Sequence, residues 1–340
     1  VRGSDTPTRR AYLVGREVWI VYNRCRPQTQ AGNVMCGIVG YLDKREQPDF
    51  PLGRTLLTML QALSCRGPDS AGVALFGGRG EMRLRLSVPT GTDRQTLSDV
   101  LQEEGLTLLR SYRAGVHDFR IATDIDLAKL EKRIQHCLPD SEILCLGEYM
   151  SLFKQVGSPD ELEAAYRISA LHGTHGIGHT RMSTESRVDL SHSQPFWAHG
   201  VPDLATVHNG HITNYHKLRR RFEQEGYRFY TENDSEVIGV YLRDRMASGR
   251  SLEGAMRSSL EDFDGSFCYL AATYDQLGFV KDSYGFKPLM LAETEDFVAL
   301  ATEEVALRRT LGRDFTAHEP APGSMRLWSI NAEAVSPAAE

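Results

Sequence analysis

The chain has 340 residues, of which 41% are hydrophobic and 25% charged, and a formal net charge of −6. This composition is that of an ordinary soluble globular protein with enough apolar residues for one large domain or two modest ones. No stretch approaches the roughly 20 consecutive apolar residues of a membrane-spanning helix. The six cysteines show no paired spacing, which favours a reduced, cytoplasmic setting.

The N-terminal segment differs from the rest because residues 1–34 hold six arginines against Asp5 and Glu17. The remainder is acidic, so the charge gives no indication of nucleic-acid binding. Arg16 and Glu17 interrupt the apolar stretch 11–22, which argues against a secretory signal. We expect residues 1–35 to be absent from the mature protein, either as a propeptide or because translation begins at Met35, and we favour the second alternative.

Hydrophobic periodicity divides the rest of the chain into three parts. The first part is predicted to contain a strand at 36–42, a helix at 52–64 and a strand at 71–76. The second part, 81–146, has the order βαββαβ of a ferredoxin-like unit, with elements at 81–88, 92–104, 106–113, 116–122, 126–136 and 142–146. In the third part we predict strands at 176–183, 204–208, 266–274, 277–282, 289–292, 297–302 and 325–330, and helices at 214–225, 235–247, 251–262 and 303–311. Two stacked antiparallel sheets flanked by helices would satisfy this order.

The most informative motif is Cys36-Gly-Ile-Val-Gly, which directly follows Met35. A cysteine in this place becomes the first residue when translation starts at the methionine and the methionine is removed. Its free α-amine, with an ordinary pKa of ~7.7–8.0, could take the thiol proton, so that one residue supplies both nucleophile and base. The alternative is a structural cysteine in a buried strand.

Three further clusters each allow a structural and a functional interpretation. Arg181 ends a predicted strand, as a rim residue or as a clamp for a substrate carboxylate. Asn209-Gly210 is a common hairpin turn, yet an Asn amide beside a Gly N–H also makes an oxyanion hole. Asp234 or Ser235 could cap a helix, or Asp234 could bind a substrate ammonium group. A fourth cluster, 281–289, is predicted to be a structural loop.

A metal site is the obvious rival, because His172, His175 and His179 are spaced at i, i+3 and i+7. Such ligands would need a helix, which the intervening glycines disfavour. We therefore predict no metal site. The chain also lacks a phosphate-binding loop and a dinucleotide-binding motif, so no cofactor is predicted.

Five segments in their order along the chain resemble the class II glutamine amidotransferases, which are N-terminal-nucleophile hydrolases. They are Cys36-Gly-Ile-Val-Gly, Arg66-Gly-Pro-Asp-Ser-Ala-Gly, Gly178-His-Thr-Arg, His208-Asn-Gly and Asn233-Asp-Ser-Glu-Val-Ile. The resemblance implies an α+β fold, a four-layer αββα sandwich over 36–310 with the small α+β unit 81–146 inserted. Residues 311–340 are expected to form a C-terminal strand and tail.

The resemblance also implies a mechanism. Cys36 would attack the side-chain amide of L-glutamine, and Asn209 and the N–H of Gly210 would hold the oxyanion. Water would then hydrolyse the thioester to glutamate. Arg181 would bind the α-carboxylate and Asp234 the α-amine. Thr184 and His208 complete the substrate-binding residues that the resemblance suggests.

Finer features resemble the stand-alone amidotransferase subunits of the glutamate synthase-like and N-methylglutamate synthase type. Among them are the long insert, Thr184-Glu185-Ser186 and the segment 214–220. This resemblance implies a hetero-complex in which a separate synthase subunit receives the ammonia, with no nucleic acid and no membrane involved. Two alternatives stay open, namely another N-terminal-nucleophile amidase and a non-catalytic scaffold subunit.

Overall fold

The computed structural model describes residues 36–330 except 48, 90, 93–96, 98–100, 103–104, 113–114, 123–125, 139, 183–188 and 313, together with the short segments 12–14 and 17–19. The chain divides into two compact units, residues 1–33 and 34–340. In the first, β1 (Tyr12–Val14) and β2 (Glu17–Trp19) pair as an antiparallel ribbon.

The second unit contains sixteen further described strands and seven described α-helices. The strands are β3 (Gly37–Asp43), β4 (Ser70–Phe76), β5 (Arg83–Ser87), β6 (Leu106–Ser111), β7 (Val116–Ile121), β8 (Glu142–Gly147), β9 (Met150–Val156), β10 (His175–Arg181), β11 (Phe196–Trp197), β12 (Ala205–Ile212), β13 (Gly265–Ala272), β14 (Gln276–Lys281), β15 (Met290–Glu293), β16 (Phe297–Ala301), β17 (Ala317–His318) and β18 (Met325–Ser329). The helices are α1 (Leu52–Ala62), α2 (Leu127–Cys137), α3 (Pro159–Tyr166), α4 (Tyr215–Gln224), α5 (Asp234–Ala247), α6 (Leu252–Asp262) and α7 (Glu304–Leu311).

Two antiparallel sheets lie at the centre of this unit. One has seven strands in the order β17-β15-β16-β3-β10-β4-β9, and the other has five in the order β11-β12-β13-β14-β18. Helices α1, α3 and α7 pack on the seven-stranded sheet, and α4 to α6 form the layer on the five-stranded sheet. The predicted four-layer αββα sandwich is therefore confirmed.

Strand β3 shows how the sequence builds these layers. Ile38 and Leu42 belong to the apolar cluster between the sheets, whereas Val39 and Tyr41 belong to the cluster beneath α1 and α7. Successive side chains of a strand point to opposite faces, and here both faces are covered. This is why the strand is a continuous apolar run rather than an alternating one.

The inserted segment forms a third sheet, four-stranded and antiparallel, in the order β6-β7-β5-β8. With α2 between β7 and β8, this is the strand order of the ferredoxin-like pattern. The first predicted helix, 92–104, lies largely outside the described residues, although Leu97, Leu101 and Gln102 are helical. Apolar residues of the insert, such as Leu84 and Phe119, belong to the same cluster as Trp197 of the sandwich.

Several predicted boundaries and assignments change. Strand β9 and helix α3 were not predicted, and β12 continues to Ile212 instead of ending before Asn209. The described cysteines Cys36, Cys137, Cys145 and Cys268 carry free thiols. None of the helices in the described part of the chain combines the length and apolar character that a membrane crossing requires.

Candidate active site

Cys36 lies directly before β3, beside the end of β10. Thr180 pairs with Gly37 in the sheet, so Arg181 and Met182 continue β10 next to Cys36. The Sγ atom of Cys36 lies 3.8 Å from the Met182 carbonyl oxygen. Burial raises the pKa of the Cys36 thiol, and the contact with Met182 and the charge of Arg181 act in the opposite direction.

Asn209 reaches Cys36 from the other sheet. Its side-chain Nδ2 donates a hydrogen bond to the Cys36 carbonyl oxygen at 2.9 Å, and the residue is 3% exposed. Gly210 follows with a φ of +133°, and a Cβ atom there would lie 2.2 Å from the Ser266 carbonyl oxygen. Only glycine fits this combination. The hairpin-turn interpretation is wrong, because β12 stays paired with β13 beyond Gly210.

Asp234 is the first residue of α5. Its Oδ2 accepts a hydrogen bond from the Ile212 N–H at 2.9 Å, and its Oδ1 lies 3.8 Å from the His208 Nδ1 atom. The helix cap is Asn233, whose side chain accepts from the Ser235 N–H at 3.0 Å. The alternative in which Asp234 or Ser235 is the cap is therefore wrong, and the Asp234 carboxylate lies in the favourable field of a helix N-terminus.

Two buried histidines lie behind these residues. Burial lowers the pKa of His208, whose Nδ1 lies 2.8 Å from the Ser235 hydroxyl. Burial and the nearby charge of Arg181 lower the pKa of His179 to about 3. Both imidazoles are therefore neutral at physiological pH.

The side chain of His175, the central histidine of the alternative metal site, is engaged by protein groups at both ring nitrogens. The two ring nitrogens of His175 contact the Thr174 hydroxyl at 2.9 Å and the Thr273 carbonyl oxygen at 2.6 Å. Across the described ranges, no three His, Cys, Asp or Glu residues are grouped so that they could hold a metal ion.

Two residues near the site were missed from the sequence. Gln194 is buried against His208 and Ser235. Lys287 lies close enough for its charge to lower the pKa values of Cys36 and His208. Gln194 belongs to none of the motifs, whereas Lys287 lies in the cluster 281–289, which was interpreted only as a structural loop; both are far in sequence from Cys36. In the same loop as Lys287, Asp282 accepts hydrogen bonds from the N–H groups of Tyr284 and Gly285, as expected of a structural loop.

The structure thus brings Cys36, Arg181 and Asn209 together at one end of the sandwich, with Gly210, His208 and Asp234 on the adjoining strand and helix. Thr184 lies outside the described residues. A thiol, an amide donor, a guanidinium and a carboxylate in this arrangement can bind a small zwitterion and attack a carbonyl carbon.

Comparison with known proteins agrees with this arrangement. The family model for a glutamine amidotransferase domain matches residues 179–309. A protein of Methanothermobacter thermautotrophicus named as a glutamine amidotransferase is 36% identical over 313 residues, which cover 87% of this chain and 100% of the relative. The chain belongs to the glutamine amidotransferases.

Two further relatives support the family and the fold. The glutamine amidotransferase-like protein GlxB of Rhizobium meliloti is 34% identical over 298 residues, covering 86% of this chain and 98% of its own. The solved glutamine phosphoribosylpyrophosphate amidotransferase from B. subtilis has the same fold, with a TM-score of 0.58 and 19% identity. The matched region covers 86% of this chain but only 47% of that amidotransferase.

Proposed function

We propose that this glutamine amidotransferase hydrolyses L-glutamine to glutamate and ammonia through a thioester on Cys36. The observation that carries the proposal is the hydrogen bond from Asn209 to the Cys36 carbonyl, because it fixes an amide donor of one sheet beside the thiol of the other. Donors fixed in this way are what the tetrahedral intermediate of amide hydrolysis requires.

The chemistry follows from the thiol and its surroundings. Since burial raises the pKa of Cys36, the thiol is protonated at neutral pH and needs a base. The α-amine of a chain that begins at Cys36 supplies that base. Sulfur bonds to the side-chain carbonyl carbon, and Asn209 and the N–H of Gly210 stabilise the oxyanion. The C–N bond then breaks, and ammonia leaves with the proton. Water finally cleaves the C–S bond to give glutamate.

Two charges of opposite sign select the substrate. Arg181 is proposed to bind the α-carboxylate of glutamine bidentately, and Asp234 its α-ammonium group. The Nδ1 atom of His208 lies 3.8 Å from Oδ1 of Asp234. His208 and Thr184 are the other two proposed substrate-binding residues. A residue within a peptide has neither a free α-carboxylate nor a free α-ammonium group. This pair of residues therefore favours a free amino acid as the substrate and argues against the alternative of a general amidase.

We further propose that the ammonia is delivered to a separate glutamate synthase-like subunit of the N-methylglutamate synthase type. The sandwich and its insert occupy the described residues 36–330, so this part of the chain holds no separate acceptor domain. A purified complex in which glutamine nitrogen is transferred to an acceptor would support this proposal. Recovery of the native protein with no such subunit would count against it.

An electrophilic glutamine analogue, reactive at the γ-carbon, tests the nucleophile directly. We expect one adduct on Cys36 by intact mass and peptide mapping, and none in Cys36→Ala. Glutamine should protect Cys36 from labelling, whereas an amino acid without a side-chain amide should not. Labelling of another residue, or equal labelling of Cys36→Ala, would contradict the proposal and favour the scaffold alternative.

A further inference from the structure

The side chain of Gln194 takes the place of a backbone partner for β12 beyond the N-terminal end of β11. Strand β11 pairs with β12 through Phe196 opposite Thr206 and Trp197 opposite Ala205. Continuing this register would place residue 194 opposite His208, in the same alternation as Ala198, whose N–H bonds to the Leu204 carbonyl oxygen at 2.9 Å, but β11 begins at Phe196. Instead the Gln194 Oε1 atom accepts from the His208 N–H at 2.6 Å, and its Nε2 donates to the His208 carbonyl at 3.1 Å.

The same side chain extends to the helix that carries Asp234. The Nε2 atom of Gln194 lies 3.2 Å from the Ser235 hydroxyl, which in turn lies 2.8 Å from the His208 Nδ1 atom. Gln194 and Ser235 are 4% and 3% exposed, so these contacts do not compete with bulk water. Gln194 therefore joins the strand of the oxyanion residue Asn209 to the first turn of α5.

We propose that Gln194 is a positioning residue that holds Asn209 in its orientation toward Cys36. This inference rests on the proposed function. The Asn209 amide is aimed by the backbone of β12, and the residue before it is held at both its N–H and its carbonyl by one side chain. Oxyanion donors lose effect when they are displaced by fractions of an ångström, because their contribution depends on fixed geometry. Removing Gln194 also leaves two buried backbone groups without a partner.

The first test is Gln194→Met, which keeps the length of the side chain but removes every hydrogen bond. We expect kcat for glutamine hydrolysis to fall about 10- to 100-fold, less than the ~10²–10³-fold loss expected for deleting an oxyanion donor. KM should change by less than about threefold, since the substrate charges keep their partners. Gln61→Met is the matched control, because Gln61 lies on α1 and its side-chain amide donates to Asp160 at 2.7 Å at the protein surface.

The deciding measurement repeats the substitution in an Asn209→Ala background. If Gln194 acts through Asn209, Gln194→Met should lower kcat there by less than about threefold, because interacting residues are not additive. An equal 10- to 100-fold loss in both backgrounds would overturn the inference. If Gln194→Met does not fold, Ser235→Ala removes one contact of Gln194 and should give a smaller loss with the same dependence on Asn209.

These assays are run on the full 340-residue chain and on the chain begun at Met35, with thermal unfolding recorded for each variant. An active wild type with unchanged kcat in Gln194→Met overturns the role of Gln194 alone. A wild type that releases no ammonia in either form overturns both this inference and the proposed function.

Discussion

At the scale of single residues, the site is governed by how burial acts on Cys36. A raised pKa keeps its thiol protonated, so proximity to Asn209 and Arg181 does not by itself create a reactive thiolate. A base must therefore act in the proposed reaction, and we assign this role to the α-amine of Cys36, because the two buried histidines behind the site are unsuited to it. His179 and His208 are buried and have lowered pKa values.

Substitutions of Asn209 and Asp234 should change different kinetic constants. Asn209→Ala removes a donor that acts on the transition state, so we expect kcat to fall by ~10²–10³ with little change in KM. Asp234→Asn removes the charge that is proposed to hold the α-ammonium group of the substrate, so we expect mainly a higher KM. Steady-state glutaminase kinetics check both. A fall in kcat at unchanged KM for Asp234→Asn would contradict its assignment.

Alkylation of the full chain tests the pKa of Cys36 separately from catalysis. Burial raises that pKa, so the thiolate fraction is small at pH 7 and grows only as the pH rises through the raised value. We expect iodoacetamide to modify Cys36 more slowly than the exposed Cys137 at pH 7, with the difference narrowing at higher pH. Peptide mapping over a pH series gives the two rates. Faster modification of Cys36 at pH 7 would show an activated thiolate.

At the scale of elements, strand β10 couples stability to pH. Burial lowers the pKa of His175 to about 4, from an ordinary value of 6.5. Below pH 6.5 the unfolded chain binds a proton that the folded chain does not, so stability is complete above this pH and is lost as the pH falls toward 4. Between these two pH values, the free energy of unfolding should fall by about 1.4 kcal/mol per pH unit on account of this histidine.

Denaturation by urea at pH 7, 6 and 5 measures this dependence. We expect His175→Gln to be less stable at pH 7 but to lose less free energy of unfolding between pH 6.5 and 5 than the wild type. His172→Gln is the matched control, since His172 is exposed. An unchanged slope in His175→Gln would mean that this histidine titrates normally in the fold.

The elements also show what can be predicted from a sequence. Strand β3 and the helices α4 to α6 are recognisable, because apolar period and length suffice to define them. The course of β12 through Gly210 is not, since Asn-Gly is locally a turn signal and only the pairing with Phe267 of β13 overrides it. Strand β9 is not predicted from the sequence, because Lys154 and Gln155 interrupt its apolar run.

The same contrast holds for the candidate site. Cys36, Arg181, Asn209 and Asp234 lie in motifs whose residue types suggest their chemistry. The contact of Gln194 with His208 and the proximity of Lys287 to Cys36 arise only when distant strands and loops meet. A buried glutamine carries no signal of its own, since its partners are backbone groups that every residue has.

At the scale of the whole molecule, the insert is bound to the sandwich rather than merely tethered to it. Asp203, which precedes β12, accepts hydrogen bonds from the N–H groups of Glu148, Tyr149 and Met150 at 3.1, 2.9 and 2.8 Å. These bonds fasten the turn between β8 of the insert and β9 of the seven-stranded sheet. The buried apolar residues described in the insert belong to the cluster between the two large sheets rather than to a separate core.

We therefore expect residues 36–330 to unfold in a single cooperative transition. Calorimetry, with fluorescence and circular dichroism followed in parallel, should give coincident midpoints for the chain begun at Met35. Asp203→Ala should lower that midpoint without splitting the transition. Two separated transitions in the wild type would show that the insert folds as an independent domain.

The central claim is that Cys36, as a free N-terminal residue, makes this chain a glutaminase. The most direct measurement is ammonia and glutamate release from L-glutamine by protein begun at Met35, with its N-terminus verified by intact mass and Cys36→Ala assayed alongside. We expect equal amounts of both products from the chain that begins at Cys36, and none from the variant. No release from a verified Cys36 terminus, with or without a synthase subunit, or undiminished release by Cys36→Ala, would contradict it.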